Sequence, residues 1–502
     1  MLLCGQTNMT LIFSSMDFKY ELEGVVKLFL PAQNFKITVS PTEEGHEGDI
    51  CFVKREQRGV MTYLYVLCRI NGTVASEAGL VLNSEKDYRS ACEMTLARYL
   101  YTCLSRITGL TPQWGIITGV RPVKQINAMS AKGLSDGEIR KKLSEDFLCS
   151  TKKINVAFAV AKVQERILSE LDDDSFSLYV SIPFCTSRCS YCSFVSQSVE
   201  SSLSLIPQYV TNLCAEIRHT GELMTRLGKR LDTVYFGGGT PTAIDACYIE
   251  AIMQTIEESF DTSTVREYTV EAGRADTITE AKLDAIKNGG AKRISINPQT
   301  LSDCVLRAIG RKHTVEQFYD AYELARSKGF EVINTDLIAG LPTDTLESFM
   351  QTIDGIIELQ PENITVHTLS IKRTSDLNQT EDKNLDMKTE QMIDYATDRL
   401  VENGYLPYYL YRQRNMLDNQ ENIGWSKPGR ESLYNTFIME ENQTIIAVGA
   451  GGSTKLVDRK WDRLKRIFNY KLPLEYNKHF DLMLQKKKEI EEFFTLEKAR
   501  EE

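Results

Sequence analysis

The sequence predicts an α/β protein with a parallel sheet of six βα units, either rolled into a three-quarter barrel or left as an open sheet. From residue 177 onward, short runs rich in Val, Ile and Tyr alternate with longer amphipathic segments. Strands separated by helices pair in parallel through right-handed crossovers. The predicted strands are Leu178–Ile182, Thr233–Phe236, Glu267–Glu271, Arg293–Asn297, Val332–Leu337 and Ile364–Leu369.

Five helical segments separate these strands and complete the βα units. Ligands of such sheets bind at the carboxyl ends of the strands. The conspicuous motifs of this chain follow predicted strands at that edge, which supports the assignment. The predicted helices are Pro207–Leu227, Ala246–Phe260, Glu280–Asn288, Val315–Lys328 and Leu346–Leu359.

Two further domains are predicted on either side of the central one, which we place at residues 172–377. Residues 1–171 predict an α+β domain of unknown role, and its first run, Tyr20–Leu30, looks like a strand. Residues 378–502 predict an α+β lid or substrate domain, with a tyrosine-rich strand at Tyr405–Tyr411 and another strand at Thr444–Val448.

Net charge and hydrophobicity limit the partners that this chain is expected to bind. The 502 residues carry a net charge of −10, which disfavours a nucleic-acid partner because phosphate-backbone binding needs a basic surface. No apolar run approaches the roughly 18–20 residues that span a bilayer, and the start does not resemble a signal peptide. We therefore expect a monomeric cytoplasmic enzyme whose twelve cysteines are reduced.

The strongest motif is Cys185-Thr-Ser-Arg-Cys189-Ser-Tyr-Cys192, directly after the first predicted barrel strand. Three thiolates on one short loop can bind three irons of a [4Fe–4S] cube, which leaves the fourth iron open for another ligand. The alternatives are a zinc knuckle or structural thiols. Zinc would need a fourth ligand nearby, and the nearest histidine, His219, lies on a predicted helix well downstream.

A glycine-rich turn, Gly237-Gly-Gly-Thr-Pro-Thr242, follows the second predicted strand. Glycines let the backbone approach a ligand closely and expose its N–H and C=O groups. A tight strand-to-helix turn is the alternative explanation. The position one βα unit after the cysteine loop favours ligand binding.

Together, the cysteine loop and this turn resemble the radical S-adenosylmethionine (SAM) superfamily. The resemblance implies a [4Fe–4S] cluster, SAM and a partial (β/α)6 barrel of the TIM-like, radical SAM type. Four segments resemble its oxygen-independent coproporphyrinogen III oxidase family, and the N-terminal region with Thr365–Arg373 resembles the HemZ type of coproporphyrinogen dehydrogenase. Those four segments are Tyr179–Cys185, Arg293–Gln299, Gly310–His313 and Asp336–Pro342.

The resemblance also implies roles for individual residues. Cys185, Cys189 and Cys192 would bind the cluster, and Tyr179 matches a catalytic position before the cluster loop. An arginine can fork onto a carboxylate, and carboxylates accept bonds from ribose hydroxyls or an ammonium, so the residue types suit SAM. The residues matching SAM-contacting positions are Tyr191, Gly238, Gly239, Thr240, Glu271, Gln299, Arg311 and Asp336.

The activity implied by the resemblance is oxidative decarboxylation of coproporphyrinogen III to protoporphyrinogen IX in haem biosynthesis, with an unidentified electron donor and acceptor. Lys372 and Arg373 are candidate contacts for substrate propionates. The main alternative is a haem-binding chaperone of the same family without decarboxylase activity. A radical RNA-modifying enzyme is a third hypothesis, which the acidic net charge disfavours.

The chain departs from the family pattern at three places. Phe194 stands where the oxidase branch often has a fourth cysteine. Asn297-Pro-Gln299 replaces the more usual Gly-Val-Gln, and Glu271-Ala-Gly-Arg274 replaces a Glu-x-Asn-Pro pattern. These departures concern a second SAM site and the fit of the porphyrin, and they leave the cluster ligands intact.

Overall fold

The chain forms two compact units in a computed structural model. The first unit contains residues 1–161 with Arg412–Gln420, and the second contains Lys162–Tyr411 with Glu421–Glu502. None of the helices in the described part of the chain is long and apolar enough to cross a bilayer. The structure describes residues 9–31, 35–84, 87–194, 196–371, 388–413 and 416–501, with side chains as far as residue 495.

The first unit is an α+β structure around a five-stranded sheet. Its strands run in the order β2-β1-β3-β4-β5, with β1 parallel to both of its neighbours and the other pairs antiparallel. The elements are β1 (Thr10–Phe13), α1 (Lys19–Phe29), β2 (Lys36–Val39), β3 (Ile50–Arg58), β4 (Met61–Ile70), β5 (Thr73–Leu82), α2 (Tyr88–Thr108), α3 (Val123–Ala131), α4 (Asp136–Glu145) and α5 (Thr151–Ser169), which ends in the second unit.

The prediction of a strand at Tyr20–Leu30 is wrong, because this segment forms helix α1. Its buried residues include Leu22, Val25, Val26 and Phe29, which recur at the spacing of one helical face. Valine and aromatic content suggested a strand, but the period of the apolar residues decides the structure.

The segment Arg412–Gln420 is held by hydrogen bonds within the first unit. The Arg412 backbone N–H donates to Val120 O at 2.7 Å, and the Asn419 amide donates to Leu28 O at 2.8 Å. Lys153, whose side chain is buried, donates to Gln420 Oε1 at 2.8 Å. These bonds explain why a segment from late in the chain belongs to this unit.

The second unit contains the predicted α/β sheet, and all six predicted parallel strands and all five predicted helices are confirmed. Its elements are β6 (Ser175–Ile182), β7 (Phe184–Cys185), β8 (Gln197–Ser198), α6 (Val199–Ser202), α7 (Ile206–Arg226), β9 (Arg230–Gly238), α8 (Ala246–Ser259), β10 (Glu267–Glu271), α9 (Glu280–Asn288), β11 (Arg293–Ser295), α10 (Asp303–Ala308), α11 (Val315–Ser327), β12 (Val332–Ala339), α12 (Leu346–Glu358), β13 (Asn363–Thr368), α13 (Thr389–Glu402), β14 (Leu406–Tyr411), β15 (Asn422–Ser426), α14 (Leu433–Glu440), β16 (Thr444–Val448), β17 (Ser453–Asp458), β18 (Arg463–Phe468), α15 (Pro473–Lys478), α16 (Phe480–Lys486) and α17 (Lys488–Glu501).

The main sheet of this unit has the strand order β14-β15-β13-β12-β11-β10-β9-β6-β16-β17-β18. Strands β13 to β6 in this order are mutually parallel, and β16 adds a seventh parallel strand beside β6. In the described residues the end strands β14 and β18 do not pair, so the barrel is partial. Strands from beyond residue 378 thus extend the barrel sheet. The domain limits at residues 171 and 377, and the lid role of residues 378–502, stay predictions.

A buried ion pair fixes the loop after β16. The side chains of Glu216 on α7 and Lys487 are both buried, and Lys487 Nζ lies 3.0 Å from Glu216 Oε1. The other donors to the Glu216 carboxylate are the Tyr476 hydroxyl at 2.6 Å, the Asn469 amide at 3.0 Å and the Gly449 backbone N–H at 2.8 Å. These partners offset the cost of removing the carboxylate from water.

Candidate active site

The three predicted cluster cysteines lie on a closed loop at the carboxyl end of β6. Strands β7 and β8 pair in parallel at the base of the loop, and the Gln197 backbone N–H donates to Pro183 O at 2.9 Å. Cys189 is buried, while Cys185 and Cys192 are half-buried. The Cys192 backbone N–H donates to Cys189 O at 3.0 Å, which keeps the last two cysteines on one turn.

The glycine turn after β9 packs directly against the start of this loop. The backbone N–H groups of Gly239 and Thr240 donate at 2.8 Å to Ile182 O and Phe184 O. A Cβ on Gly239 would stand 2.5 Å from Phe184 O, so only glycine fits there. Thr240 Oγ1 lies 3.5 Å from Cys185 Sγ. The structure therefore brings Gly238–Thr240 beside the first cysteine.

An arginine outside the predicted site residues, Arg274, contacts the other side of the loop. Arg274 follows β10, its side chain is 4% exposed, and its Nη1 donates to Ser187 O at 3.1 Å and contacts Cys189 Sγ at 3.8 Å. Its Nε donates to Asp276 Oδ1 at 3.0 Å, and Asp276 also accepts from the Thr186 hydroxyl at 2.9 Å. The available signal was the departure of Glu271-Ala-Gly-Arg274 from the family pattern.

Arg311 and Tyr191 form a second contact around the cysteine loop. Arg311 is buried, and its Nη1 donates at 2.9 Å to the backbone oxygens of Gly273 and Asn297. Its Nη2 donates to the Tyr191 hydroxyl at 3.4 Å, and its Nε has no hydrogen-bond partner among the residues that the structure describes. A buried guanidinium with a free donor suits an anionic group such as the carboxylate of SAM.

His313 lies next to this pair and is uncharged. Its side chain is fully buried, and within the described part of the chain neither ring nitrogen has a hydrogen-bond partner. Burial and the nearby Arg311 charge lower its pKa to about 4, although Asp276 Oδ1 lies 4.0 Å from Nδ1. The imidazole therefore adds no positive charge near the cysteines at neutral pH.

Glu271, at the end of β10, is a carboxyl with an unusual protonation equilibrium. It accepts a hydrogen bond from the Tyr235 hydroxyl. Burial raises its pKa to about 7, and the charge of Asp336 adds to this effect. A carboxyl that titrates near neutrality can serve as an acceptor for hydroxyls or for a cation in its ionised form.

Asp336, on β12, remains ionised although it lies in the same region. Burial by itself would raise the pKa of Asp336, but the imidazole of His367, 3.9 Å away, and the side-chain amide of Asn334 outweigh burial, so the pKa lies below its usual value. Two neighbouring carboxyls with different pKa values are typical of ligand-binding sites.

Gln299 contributes mainly through its backbone in this structure. It adopts a left-handed conformation with φ of 71°. Its backbone N–H donates to Asp336 O at 3.0 Å, and its C=O accepts from the Ile338 backbone N–H at 3.0 Å. The residue is 6% exposed.

Tyr179, the predicted catalytic residue, belongs to a stack of three tyrosines on the inner face of the sheet. The ring centroids of Tyr235 and Tyr434 are 4.3 Å apart, and Tyr179 lies 6.3 Å and 6.2 Å from them. Burial raises the pKa of Tyr179, which keeps its hydroxyl protonated. Tyr434 on α14 was not predicted, because no motif marks it. The candidate substrate contacts Lys372 and Arg373 lie outside the described residues.

The residues present fit an iron–sulfur cluster with SAM beside it. The three cysteines share one short loop, and the Arg311 Nε and the Gly238–Thr240 turn lie next to it. Within the described ranges, no group of three or more His, Cys, Asp or Glu is arranged around a single metal ion. A cube does not require that arrangement, because each thiolate binds a different iron.

The partial parallel barrel and this loop define a radical SAM protein, and comparison with known proteins agrees. The Radical SAM superfamily profile matches residues 179–356. The solved structure titled "Coproporphyrinogen III oxidase (HemN) from Escherichia coli is a Radical SAM enzyme" has the same fold, with a TM-score of 0.51 and 22% identity over 64% of this chain and 73% of that one. The cofactors are accordingly a [4Fe–4S] cluster and SAM.

Curated relatives extend the similarity beyond the barrel. The chain is 38% identical over 421 residues to the oxygen-independent coproporphyrinogen-III oxidase-like protein HemZ of Bacillus subtilis (strain 168), which covers 82% of this chain and 83% of the relative. It is 31% identical over 327 residues to the heme chaperone HemW of Lactococcus lactis, covering 63% and 79%. The chain belongs to the HemZ family of coproporphyrinogen-III oxidase-like proteins.

Proposed function

We propose that this chain catalyses the oxidative decarboxylation of coproporphyrinogen III to protoporphyrinogen IX. The observation that carries the proposal is the 38% identity to the coproporphyrinogen-III oxidase-like HemZ protein along 82% of the chain. That similarity covers more than the superfamily barrel, which alone occurs with many chemistries. The carboxyl edge of the sheet supports the proposal, because the three cysteines, the buried Arg311 and the carboxyls of Glu271 and Asp336 all lie there.

In this proposal, Cys185, Cys189 and Cys192 hold the cluster. Once bound, the cluster and SAM supply a radical that removes a hydrogen atom. The Nε of Arg311 would pair with the SAM carboxylate, and the Gly238–Thr240 turn would pack beside its methionine part.

The inner face of the sheet would orient the rest of SAM and the substrate. The carboxylates of Glu271 and Asp336 would accept bonds from ribose hydroxyls or the ammonium. The stacked rings of Tyr179, Tyr235 and Tyr434 would exclude water from the reacting carbon.

Two of the four propionates would each lose a hydrogen atom from the β-carbon, then CO₂ and one electron, which leaves a vinyl group. Two such cycles convert the substrate to the product. The electron released in each cycle requires an acceptor, and the cluster requires a donor.

Anaerobic turnover tests the proposal. Cluster-reconstituted protein, dithionite, SAM and coproporphyrinogen III should yield CO₂ and vinyl porphyrinogens. Cys189→Ser should lose this activity by at least about 100-fold, since a cluster ligand is removed. The matched control is Cys247→Ser, an exposed cysteine on α8, which should stay within twofold of wild type. Formation of 5′-deoxyadenosine without CO₂ or vinyl product would argue against this substrate.

A haem chaperone is the second candidate function. It is favoured by the 31% identity to the heme chaperone HemW of Lactococcus lactis over 63% of this chain. The exposed Phe194, in place of a fourth cysteine, is compatible with it. Stoichiometric haem binding with transfer to an acceptor protein, and no vinyl product in the anaerobic assay, would select this function.

The proposal also retains a monomeric state, a cytoplasmic location and no nucleic-acid partner. Light scattering should give a mass near 57.0 kDa for the isolated protein. The absence of co-purifying RNA after a low-salt wash would agree with the acidic net charge.

A further inference from the structure

Arg274 contacts the cysteine loop in a way that the cluster-binding motif does not require. All three nitrogens of its guanidinium are engaged. Nε and Nη2 donate to the two oxygens of Asp276, at 3.0 Å and 3.2 Å. Nη1 donates to Ser187 O at 3.1 Å and reaches Cys189 Sγ at 3.8 Å. With a side-chain exposure of 4%, this cation is largely shielded from water.

Arg274 differs from Arg311 and His313 in that its guanidinium donates a hydrogen bond to one of the cluster cysteines. Arg311 is also buried and its charge also acts on Cys189, but its Nη1 bonds to backbone oxygens and its Nη2 to Tyr191, so neither donates to that sulfur. The burial-lowered pKa of His313 keeps that imidazole neutral. Asp276 provides the neighbouring negative charge, because Arg274 holds its pKa below the usual value despite burial.

Hydrogen bonds to cluster sulfurs and nearby charges set the reduction potential of an iron–sulfur cluster. Reduction adds one negative charge to the cluster and its thiolates. An N–H donor and a positive charge at a ligand sulfur stabilise that reduced form more than the oxidised one. The potential is then higher than it would be without the donor.

We propose that Arg274 is a positioning residue that raises the reduction potential of the cluster, by donating from Nη1 to the Cys189 thiolate while fixing the loop backbone at Ser187. This role depends on cluster binding and is independent of the tetrapyrrole substrate. Arg274 stands where the chain departs from the Glu-x-Asn-Pro pattern. The hydrogen bond from Arg274 to Cys189 would therefore distinguish this chain from relatives that follow that pattern.

An EPR-monitored redox titration of reconstituted protein, with dithionite and mediators, tests the role. Arg274→Gln should lower the ratio of reduced to oxidised cluster about tenfold at a fixed potential, equivalent to 59 mV for a one-electron couple. Arg274→Lys keeps the charge but not the fork, and should lower the ratio about threefold. Iron and sulfide contents are measured on each sample, so that only fully loaded protein is compared.

Arg326→Gln is the matched control. Arg326 pairs with Glu362 at 2.9 Å, just before β13 and therefore at the opposite, amino edge of the sheet. The substitution removes the same charge, and the potential should stay equal to that of wild type. A wild-type potential in fully loaded Arg274→Gln would overturn the proposal, as would an equal shift in Arg326→Gln.

Asp276→Asn decides the question if Arg274→Gln does not load its cluster. This substitution removes the negative charge that offsets Arg274, and the asparagine oxygen can still accept one N–H of the guanidinium, so the potential should rise. An unchanged or lower potential would overturn the proposal. Because the titration contains no porphyrinogen, its outcome is separate from that of the decarboxylase assay.

Discussion

Replacing Glu271 by glutamine is expected to stabilise the second unit at alkaline pH and to have little effect in acid. Burial raises the pKa of this carboxyl to about 7. The folded protein therefore favours the neutral form, and ionisation above pH 7 places an unfavourable charge in the site. Glutamine has nearly the same shape, and its side-chain oxygen can still accept the bond from the Tyr235 hydroxyl.

The magnitude follows from the two protonation equilibria of Glu271. In the unfolded chain the carboxyl ionises around its ordinary pKa of 4.5, whereas in the folded chain it keeps its proton to about pH 7. A raised folded-state pKa means that stability is fully present below pH 4.5 and is lost as the pH rises to 7. The loss is about 3 kcal/mol, because one pKa unit corresponds to about 1.4 kcal/mol. The glutamine variant avoids it.

Urea unfolding of the cluster-free protein at pH 5 and pH 8 measures this difference. Tryptophan fluorescence is a suitable probe, since the buried Trp425 lies on β15 of the same sheet. The stability gain of Glu271→Gln over wild type should be about 2–3 kcal/mol larger at pH 8 than at pH 5. Glu250→Gln, on an exposed position of α8, is the control and should change stability by less than about 0.5 kcal/mol at both pH values. An equal effect of Glu271→Gln at the two pH values would refute the reasoning.

Two further predictions concern the supports of the site. Gly239→Ala should reduce cluster iron at least about tenfold, because its Cβ would displace Phe184 O beside the first cysteine. The control is Gly137→Ala, in open space on α4, which should retain full iron. Equal iron contents in the two variants would show that the close packing at Gly239 does not support the cysteine loop. Lys487→Met should destabilise the protein by about 3–5 kcal/mol in urea unfolding, because it leaves the Glu216 carboxylate buried without its cation. Adding Glu216→Gln should recover more than half of that loss, and additive losses would show that the two residues do not act as a pair.

Short-range sequence patterns predict the secondary structure of the elements that local periodicity decides. The strand at Thr444–Val448 was predicted with its observed limits, because an apolar β-branched run between turns is typical of a buried strand. Its partner was not predicted, since β16 pairs with β6 across more than 250 residues of chain. Local periodicity contains no information on which strand lies alongside.

Helix α1 shows the opposite case, in which local composition misled. The Tyr20–Leu30 run contains residues typical of strands, but its apolar residues follow the helical period and pack against the same core as α2. Periodicity was the better guide, because burial of one face stabilises a segment more than intrinsic propensity does.

The sequence by itself determined the chemistry of the site: three cysteines within eight residues and a glycine turn one βα unit later are local features, and each dictates a ligand type. Only the tertiary structure decided which charges surround them. Arg274 lies 85 residues from Cys189 along the chain, and Glu271 acquires its raised pKa from burial beneath side chains of other strands. Dielectric environment and through-space contact arise when distant strands assemble, and for that reason no motif records them.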